Sequence, residues 1–229
     1  MCILSLCRVE LSSKKWRREF NLCRFVKFLF IVYDSLMFDK SHILSLKNGG
    51  VGVIPTDTLY GLVCSVHSKD GYKKLVSLKG VKKERKSFII LIADYSDLEK
   101  LGINCTDLQK KVISKLWPGP FSIEMKQDSE ISKMTGFDSP AVRMPAKKEL
   151  IEFLKETGPL FAPSANPTDM PSSTTVDEAK RYFGEKIDFY VDGGILNGKP
   201  STVMAIGDGN IEIFRQGEID PMSLLNGVI

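Results

Sequence analysis

The 229-residue sequence has only two histidines, His42 and His67, and five cysteines. Neither histidine neighbours a plausible nucleophile and no G-x-S-x-G elbow occurs, which argues against a Ser/His/Asp hydrolase. No C-x-x-C pair or Cys/His ligand spacing is present, which argues against a zinc site; the few cysteines also fit a reducing compartment better than a disulfide scaffold. Complete P-loop and G-x-G-x-x-G fingerprints are missing too, so nucleotide binding by those two routes is excluded.

The sequence also lacks excess charge outside its first 36 residues. The formal net charge is +4, and residues 1–36 carry all of it, with seven Lys or Arg against three acidic residues. Residues 37–229 contain 25 basic and 25 acidic residues. Affinity for a nucleic-acid backbone needs clustered positive charge, so the overall basicity is no argument for a nucleic-acid-binding core.

Long apolar runs are absent as well. The run at 25–33 has nine residues and is interrupted by Lys27, whereas a membrane-spanning helix needs about 20. A basic stretch precedes this run, but no small-residue cleavage site follows it. We interpret residues 1–36 as a dispensable extension or an over-called start, with the domain beginning at Met37. The alternative is an amphipathic segment that touches a membrane.

From Phe38 onward, helix-like and strand-like segments alternate. Apolar periodicity and turn residues predict five helices, at Ser41–Lys47, Lys69–Leu78, Asp107–Leu116, Lys148–Glu156 and Thr175–Phe183. They predict nine strands, at Val51–Ile54, Leu62–Ser65, Phe88–Ile92, Phe121–Met125, Ala141–Arg143, Leu160–Ala162, Phe189–Val191, Thr202–Ala205 and Ile211–Phe214. The irregular spacing favours a single α/β domain, residues 37–220, with a mixed sheet and a short tail, 221–229. Thr175 followed by Glu178 predicts a capping box.

Two of the predicted strands end in short polar turns. The first strand stops at Pro55 and is followed by three oxygen-bearing side chains, Thr56, Asp57 and Thr58. The second turn is Pro163-Ser164-Ala165-Asn166-Pro167, in which polar side chains stand between two prolines. Each turn by itself is equally well explained as an Asx-type connection between core strands. Two of them in one small domain favour a ligand site.

The remaining candidates for chemistry are positive groups beside turns. Arg143 ends a strand held between two prolines, and Arg215 ends the final strand. A guanidinium at such a place can bind phosphate or carboxylate, although a surface arginine at a strand end is the alternative. Lys79 and the run 82–86 follow a predicted helix, and such a run by itself is typical of a solvated helix end.

Seven short motifs occur in an order and spacing that resemble the Sua5/YrdC family, the threonylcarbamoyl-AMP synthases, in its short form without the C-terminal Sua5 domain. The resemblance covers about residues 38–219. The motifs are Pro55–Leu62, Trp117–Pro120, Ala141–Pro145, Ala162–Asn166, Asp192–Gly194, Ser201–Val203 and Arg215–Gly217.

The resemblance implies a YrdC-like twisted sheet around a concave basic cavity. It implies an L-threonylcarbamoyladenylate synthase, a nucleotidyltransferase that forms threonylcarbamoyl-AMP and pyrophosphate from L-threonine, bicarbonate and ATP, with Mg²⁺ accompanying the ATP. The product feeds tRNA t6A37 modification through a tRNA threonylcarbamoyl transferase. The resemblance further implies a cytoplasmic location, indirect or weak contact with tRNA and no membrane association.

The resemblance also implies the site residues. The implied catalytic residues are Lys79, Arg85, Ser164 and Asn166. The same four residues, with Ser201 and Arg215, would bind ATP. The residues implied to bind threonine are Thr56, Thr58, Tyr60 and Arg143.

The chain departs from the family pattern at three places. Val81 stands where the family has an arginine, so the second basic position falls to Arg85, with Lys83 as the alternative. Thr168-Asp169 replaces a Ser-Gly pair, and Lys147 replaces a histidine. These last two changes alter loop shape without removing a charge needed for binding.

Two other functions stay open. A double-stranded-RNA-binding module has a similar fold, but the neutrality of residues 37–229 weighs against it. A carbamoyl-adenylate-forming domain of hydrogenase maturation is related, but it is expected beside acylphosphatase and zinc-finger domains.

Overall fold

The computed structural model describes residues 37–80, 88–207 and 210–227, within a compact unit that begins at Met37. The predicted extension, 1–36, lies outside the described residues, so its boundary stays a prediction. The helices are α1 (Lys40–Lys47), α2 (Lys69–Lys79), α3 (Ser96–Lys100), α4 (Asp107–Leu116), α5 (Glu130–Thr135), α6 (Lys148–Thr157) and α7 (Val176–Phe183), with 3-10 turns at Gly184–Lys186 and Pro221–Ser223. The strands are β1 (Gly52–Pro55), β2 (Tyr60–Ser65), β3 (Ile90–Leu91), β4 (Phe121–Glu124), β5 (Ala141–Arg143), β6 (Leu160–Phe161), β7 (Phe189–Tyr190), β8 (Thr202–Ile206) and β9 (Ile211–Arg215).

These nine strands of the described residues form one sheet in the order β7-β1-β2-β6-β3-β5-β4-β8-β9. The pairs β1/β7, β3/β5 and β4/β8 are parallel, and the other neighbours are antiparallel. The predicted single α/β domain with a twisted mixed sheet is therefore confirmed. Because β2 lies between β1 and β6 and is antiparallel to both, the turns that follow β1 and β6 lie at the same end of the sheet.

The core lies on both faces of the sheet. Successive residues of a strand point to opposite faces, and Val53 and Ile54 accordingly belong to two different buried clusters. Apolar residues of α2, α4 and α7 cover one face, and those of α1 and α6 cover the other. The domain thus has three layers. No helix in the described part of the chain is both long and apolar enough to cross a membrane.

The structure corrects several local predictions. The strand predicted over Phe88–Ile92 is reduced to Ile90–Leu91, and the short helices α3 and α5 were not predicted. The capping box at α7 is displaced by one residue. Thr175 accepts a hydrogen bond from the Glu178 amide as expected. The Glu178 carboxylate, however, accepts hydrogen bonds from the amide and hydroxyl of Thr174, at 2.7 and 3.0 Å.

Candidate active site

The turn between β1 and β2, residues 56–59, is hereafter the first turn. The buried hydroxyl of Thr56 stabilises this turn through three hydrogen bonds. It donates to the Leu59 carbonyl at 2.6 Å and accepts from the amides of Thr58 and Leu59 at 3.1 and 3.2 Å. Hydroxyls that bond to backbone two and three residues away stabilise turns of this kind. The backbone of the turn is therefore held by its own hydroxyl group, and the Thr58 hydroxyl, 3.1 Å from that of Thr56, is available to neighbouring groups.

Arg143, the last residue of β5, lies against the first turn. It is only 4% exposed, and its Nη1 donates to the Thr58 hydroxyl at 3.1 Å. Its Nη2 lies 3.1 Å from Oδ1 of Asp57, whose other oxygen accepts from the Ala146 amide at 3.0 Å. The guanidinium is thus held against the first turn, and its buried Nε–H has no acceptor among the described residues.

The second turn, residues 163–168, follows β6 and continues its pairing with β2. Ser164 forms an antiparallel bridge with Gly61, and the Ala165 amide donates to the Tyr60 carbonyl at 2.8 Å. The side-chain amide of Asn166 forms hydrogen bonds within its own loop. It donates to the carbonyls of Pro167 and Met170 at 2.9 and 2.6 Å. The pairing with β2 therefore places the second turn directly beside the first.

A lysine lies behind the second turn. The Lys79 ammonium, at the end of α2, donates to the carbonyls of Ser164 and Asn166 at 2.9 and 2.6 Å and to Asn166 Oδ1 at 3.3 Å. Lys79 is 7% exposed and Asn166 is equally buried. Lys79 therefore lies beneath the turn, and the Asn166 side chain is directed toward it.

The opposite wall comes from the start of β8 and the end of β9. Arg215 is exposed overall, but its Nε donates to the Ser201 carbonyl at 3.0 Å and its Nη2 to the Ser201 hydroxyl at 3.3 Å. The Ser201 hydroxyl also lies 2.9 Å from that of buried Ser122. A side chain at Gly217 would stand 2.7 Å from the Thr202 amide nitrogen, so only glycine lets the chain after Arg215 approach β8 this closely.

Tyr60 connects the first turn to the Asp192-Gly193-Gly194 motif. Its hydroxyl accepts from the Gly193 amide and donates to the Gly194 carbonyl, both at 2.8 Å. Burial of the ring raises the pKa of Tyr60, which keeps the phenol protonated near neutral pH. The hydroxyl thus holds the 192–194 segment at the edge of the site.

These elements line a cavity that is open to solvent. Seven of the ten predicted site residues line it. They are Thr56, Thr58, Tyr60, Arg143, Ser164, Ser201 and Arg215. Lys79 and Asn166 lie behind the lining, and Arg85 and its alternative Lys83 lie outside the described residues. Sequence reasoning missed Ser172, which also lines the cavity, and Ser122, which supports it.

The cavity is positively charged. Arg143 and Arg215 line it, and none of its described lining residues is acidic. Burial lowers the pKa of the Arg143 guanidinium, an effect that Asp57 partly offsets. Burial, and then the charge of Arg143, lower the pKa of Arg215. The two guanidiniums therefore repel each other across the cavity, and an anion bound between them would relieve that repulsion.

Comparison with known sequences gives the family. The profile of the Sua5/YciO/YrdC family, described as "Telomere recombination", matches residues 45–217. A putative threonylcarbamoyl-AMP synthase of Methanocaldococcus jannaschii is 33% identical over 185 residues, which are 80% of this chain and 86% of that protein. The threonylcarbamoyl-AMP synthase of Bacillus subtilis is 32% identical over 76% of this chain, which spans about half (51%) of that longer protein.

Solved structures agree with this assignment. Sua5 of Pyrococcus abyssi, in a complex with L-threonine, aligns with a TM-score of 0.75 at 27% identity, covering 82% of this chain and 56% of that one. YciO of Escherichia coli aligns with a TM-score of 0.68 over 79% of this chain and 90% of its own. At 21% identity the YciO match shows the fold alone. By the profile match, the sequence identities and the shared fold, this chain belongs to the Sua5/YciO/YrdC family.

Proposed function

We propose that this protein is an L-threonylcarbamoyladenylate synthase, which forms threonylcarbamoyl-AMP and pyrophosphate from L-threonine, bicarbonate and ATP. The observation that carries the proposal is that both polar turns and both arginines, Arg143 and Arg215, meet in one cavity of a chain with relatives of that name. The complex of P. abyssi Sua5 with L-threonine supports the choice of amino acid.

The geometry suggests how the substrates divide the cavity. Threonine takes the side of the first turn, where Thr58 and Tyr60 shape the pocket and the Arg143 guanidinium provides positive charge for the carboxylate. ATP takes the side of Ser164, Ser201 and Arg215. The two guanidiniums offset the negative charge that accumulates where carboxylate and phosphates approach each other.

The proposed chemistry demands positioning more than a strong base. The threonine amine attacks bicarbonate, and loss of water leaves a carbamate on the nitrogen. A carbamate oxygen then forms a bond to the α-phosphorus while the bond to the β-phosphate oxygen breaks, which releases pyrophosphate. Such an in-line transfer is accelerated mainly by alignment and charge neutralisation. A cavity rich in hydroxyls and guanidiniums, with no carboxylate among its described lining residues, fits that requirement.

Several parts of the proposal rest on residues or partners beyond the cavity walls. No group of three or more His, Cys, Asp or Glu in the described part of the chain could hold a metal, so we place Mg²⁺ on the ATP phosphates, where it would shield the leaving pyrophosphate. Arg85 is proposed as a further phosphate contact. Cytoplasmic location and delivery of the product to a tRNA-modifying transferase complete the proposal.

The experiment is pyrophosphate release from ATP and bicarbonate with L-threonine, L-serine or glycine. The threonine methyl in an apolar pocket is worth about 1–3 kcal/mol, so kcat/KM with serine should fall roughly 10- to 200-fold. Glycine, which lacks the hydroxyl as well, should be poorer still. Equal turnover with all three amino acids would contradict the proposed threonine pocket. Binding to double-stranded RNA without pyrophosphate release would favour the RNA-binding alternative.

A further inference from the structure

Lys79 lies where the family resemblance implies a phosphate contact, yet its ammonium is bound to protein. We propose that Lys79 is a positioning residue, which acts by tying the second turn to the end of α2. This inference rests on the proposed function, because the turn carries Ser164 into the proposed ATP site.

The number of available protons supports this role. A lysine ammonium has three N–H donors and no acceptor. Among the described residues, three acceptors lie within hydrogen-bond distance of the Lys79 ammonium, namely the carbonyls of Ser164 and Asn166 and Oδ1 of Asn166, at 2.9, 2.6 and 3.3 Å. A phosphate oxygen could gain a hydrogen bond from this ammonium only if one of these acceptors lost its own. Since an unsatisfied buried carbonyl is unfavourable, the exchange is disfavoured.

The same two elements are bonded in the opposite direction. Thr168 donates both its amide and its hydroxyl to the Lys79 carbonyl, each at 2.7 Å. Lys79 is the last residue of the helix, and the φ of 64° at the next residue, Gly80, lets the chain turn away. Five hydrogen bonds therefore join one helix end to one turn, across 85 to 89 residues of sequence. A lysine that served phosphate alone would not need this arrangement.

The tie reaches the cavity through the turn itself. Ser164, whose carbonyl Lys79 binds, lines the cavity and bridges to Gly61. Without these hydrogen bonds the second turn, and Ser164 with it, would be free to shift. A misplacement of about 1 Å in an active site lowers the reaction rate on the order of 100-fold. Lys79 would thus control the reaction without touching the reacting atoms.

Two variants decide the question. Lys79→Met removes the charge of the side chain and keeps its length. Thr168→Val removes one of the five hydrogen bonds at a residue that is not proposed to bind phosphate. Lys133→Met is the matched control, because Lys133 is exposed and forms an ion pair with Glu130 within α5. For each variant we would measure kcat and KM for ATP, the Kd of inorganic pyrophosphate, and hydrogen exchange of the amides of Ala165 and Thr168.

If Lys79 positions the turn, Lys79→Met should accelerate amide exchange in the turn at least tenfold and lower kcat about 10- to 100-fold. Pyrophosphate affinity should stay within about threefold, and Thr168→Val should change exchange and kcat in the same direction by less. A loss of pyrophosphate affinity of tenfold or more with unchanged exchange would overturn the proposal and restore a direct phosphate contact.

Two further outcomes keep the result interpretable. Should Lys79→Met not fold, Thr168→Val decides, since unchanged exchange and kcat in that variant would contradict the tie. Should the wild-type protein release no pyrophosphate, the proposed function fails. The exchange measurement would then still show whether Lys79 orders the second turn.

Discussion

The two turns that form the cavity are held in different ways. The first turn is stabilised from within, because the Thr56 hydroxyl bonds to groups only two and three residues away. The second turn is stabilised from outside, by a lysine 85 residues earlier in the chain. The backbone of the first turn should therefore be insensitive to the position of α2, whereas the second turn should respond to it.

The arginines repeat this contrast. Arg143 is buried and paired with a carboxylate, so its place is fixed at the energetic expense of removing two charges from water. Arg215 is held by neutral oxygens of Ser201 and remains partly in solvent. We expect Arg143 to be the rigid wall of the cavity and Arg215 the adjustable one.

The largest effect should come from Arg143→Met, which leaves the Asp57 carboxylate buried without its charge partner. Removal of one member of a buried pair lowers the free energy of unfolding by about 3–5 kcal/mol. The double variant Asp57→Asn/Arg143→Met should regain part of that stability but no synthase activity. Urea unfolding and pyrophosphate release separate the two quantities. Recovery of activity in the double variant would show that Arg143 serves the fold alone.

The two turns should differ when each loses one hydroxyl. Thr56→Val leaves two amides and a carbonyl without their shared partner and should lower stability by about 1–3 kcal/mol. Thr168→Val keeps the backbone bond to Lys79, so its loss should be about 1 kcal/mol or less. Thr56→Ser, which keeps the hydroxyl, is the control. The comparison between the turns would be wrong if Thr168→Val proved the more damaging change in urea unfolding.

A smaller effect is expected at Asp169, just after the second turn. Its φ is 66°, and no other non-glycine residue in the described ranges has a positive φ. Asp169→Val should lower stability by about 1–2 kcal/mol, because a β-branched residue is strained in this conformation. Asp169→Gly should stay within about 0.5 kcal/mol of wild type, since relief of strain offsets the added freedom of the unfolded chain. Met170→Val, at an exposed neighbour, is the control. Equal thermal shifts for Asp169→Val and Met170→Val would contradict the argument.

The smallest effect concerns acid stability of the segment that follows. Hydrogen bonds from the Thr174 amide and hydroxyl lower the pKa of Glu178. A carboxyl group whose pKa is lower in the folded than in the unfolded protein stabilises the folded state at pH values above its ordinary pKa, about 4.3. This contribution disappears as the pH falls through the folded-state pKa. Glu178→Gln should therefore show a flatter dependence of unfolding temperature on pH between about 3 and 6. Parallel curves for the variant and the wild type would exclude the contribution.

Local structure was predictable where the stabilising contacts are close in sequence. The bounds of Asp107–Leu116 were predicted correctly, because a capping threonine and apolar spacing lie within ten residues. The helices Ser96–Lys100 and Glu130–Thr135 were missed, because each is too short to show a helical period. The strand predicted over residues 88–92 was too long, because a continuous apolar run does not show where hydrogen bonding to the neighbouring strands ends.

The sequence by itself determined the class of fold, the two polar turns and most of the residues that line the cavity. Motif spacing and local hydrogen bonding depend on residues that are close together in the chain, so the sequence shows them directly. Only the tertiary structure decided that Asp57 pairs with Arg143, that Ser172 reaches the lining, and that Lys79 lies behind the second turn rather than within the cavity. Those relationships join residues that are far apart in the chain. Their geometry follows from the order of strands in the sheet, and no local pattern records that order.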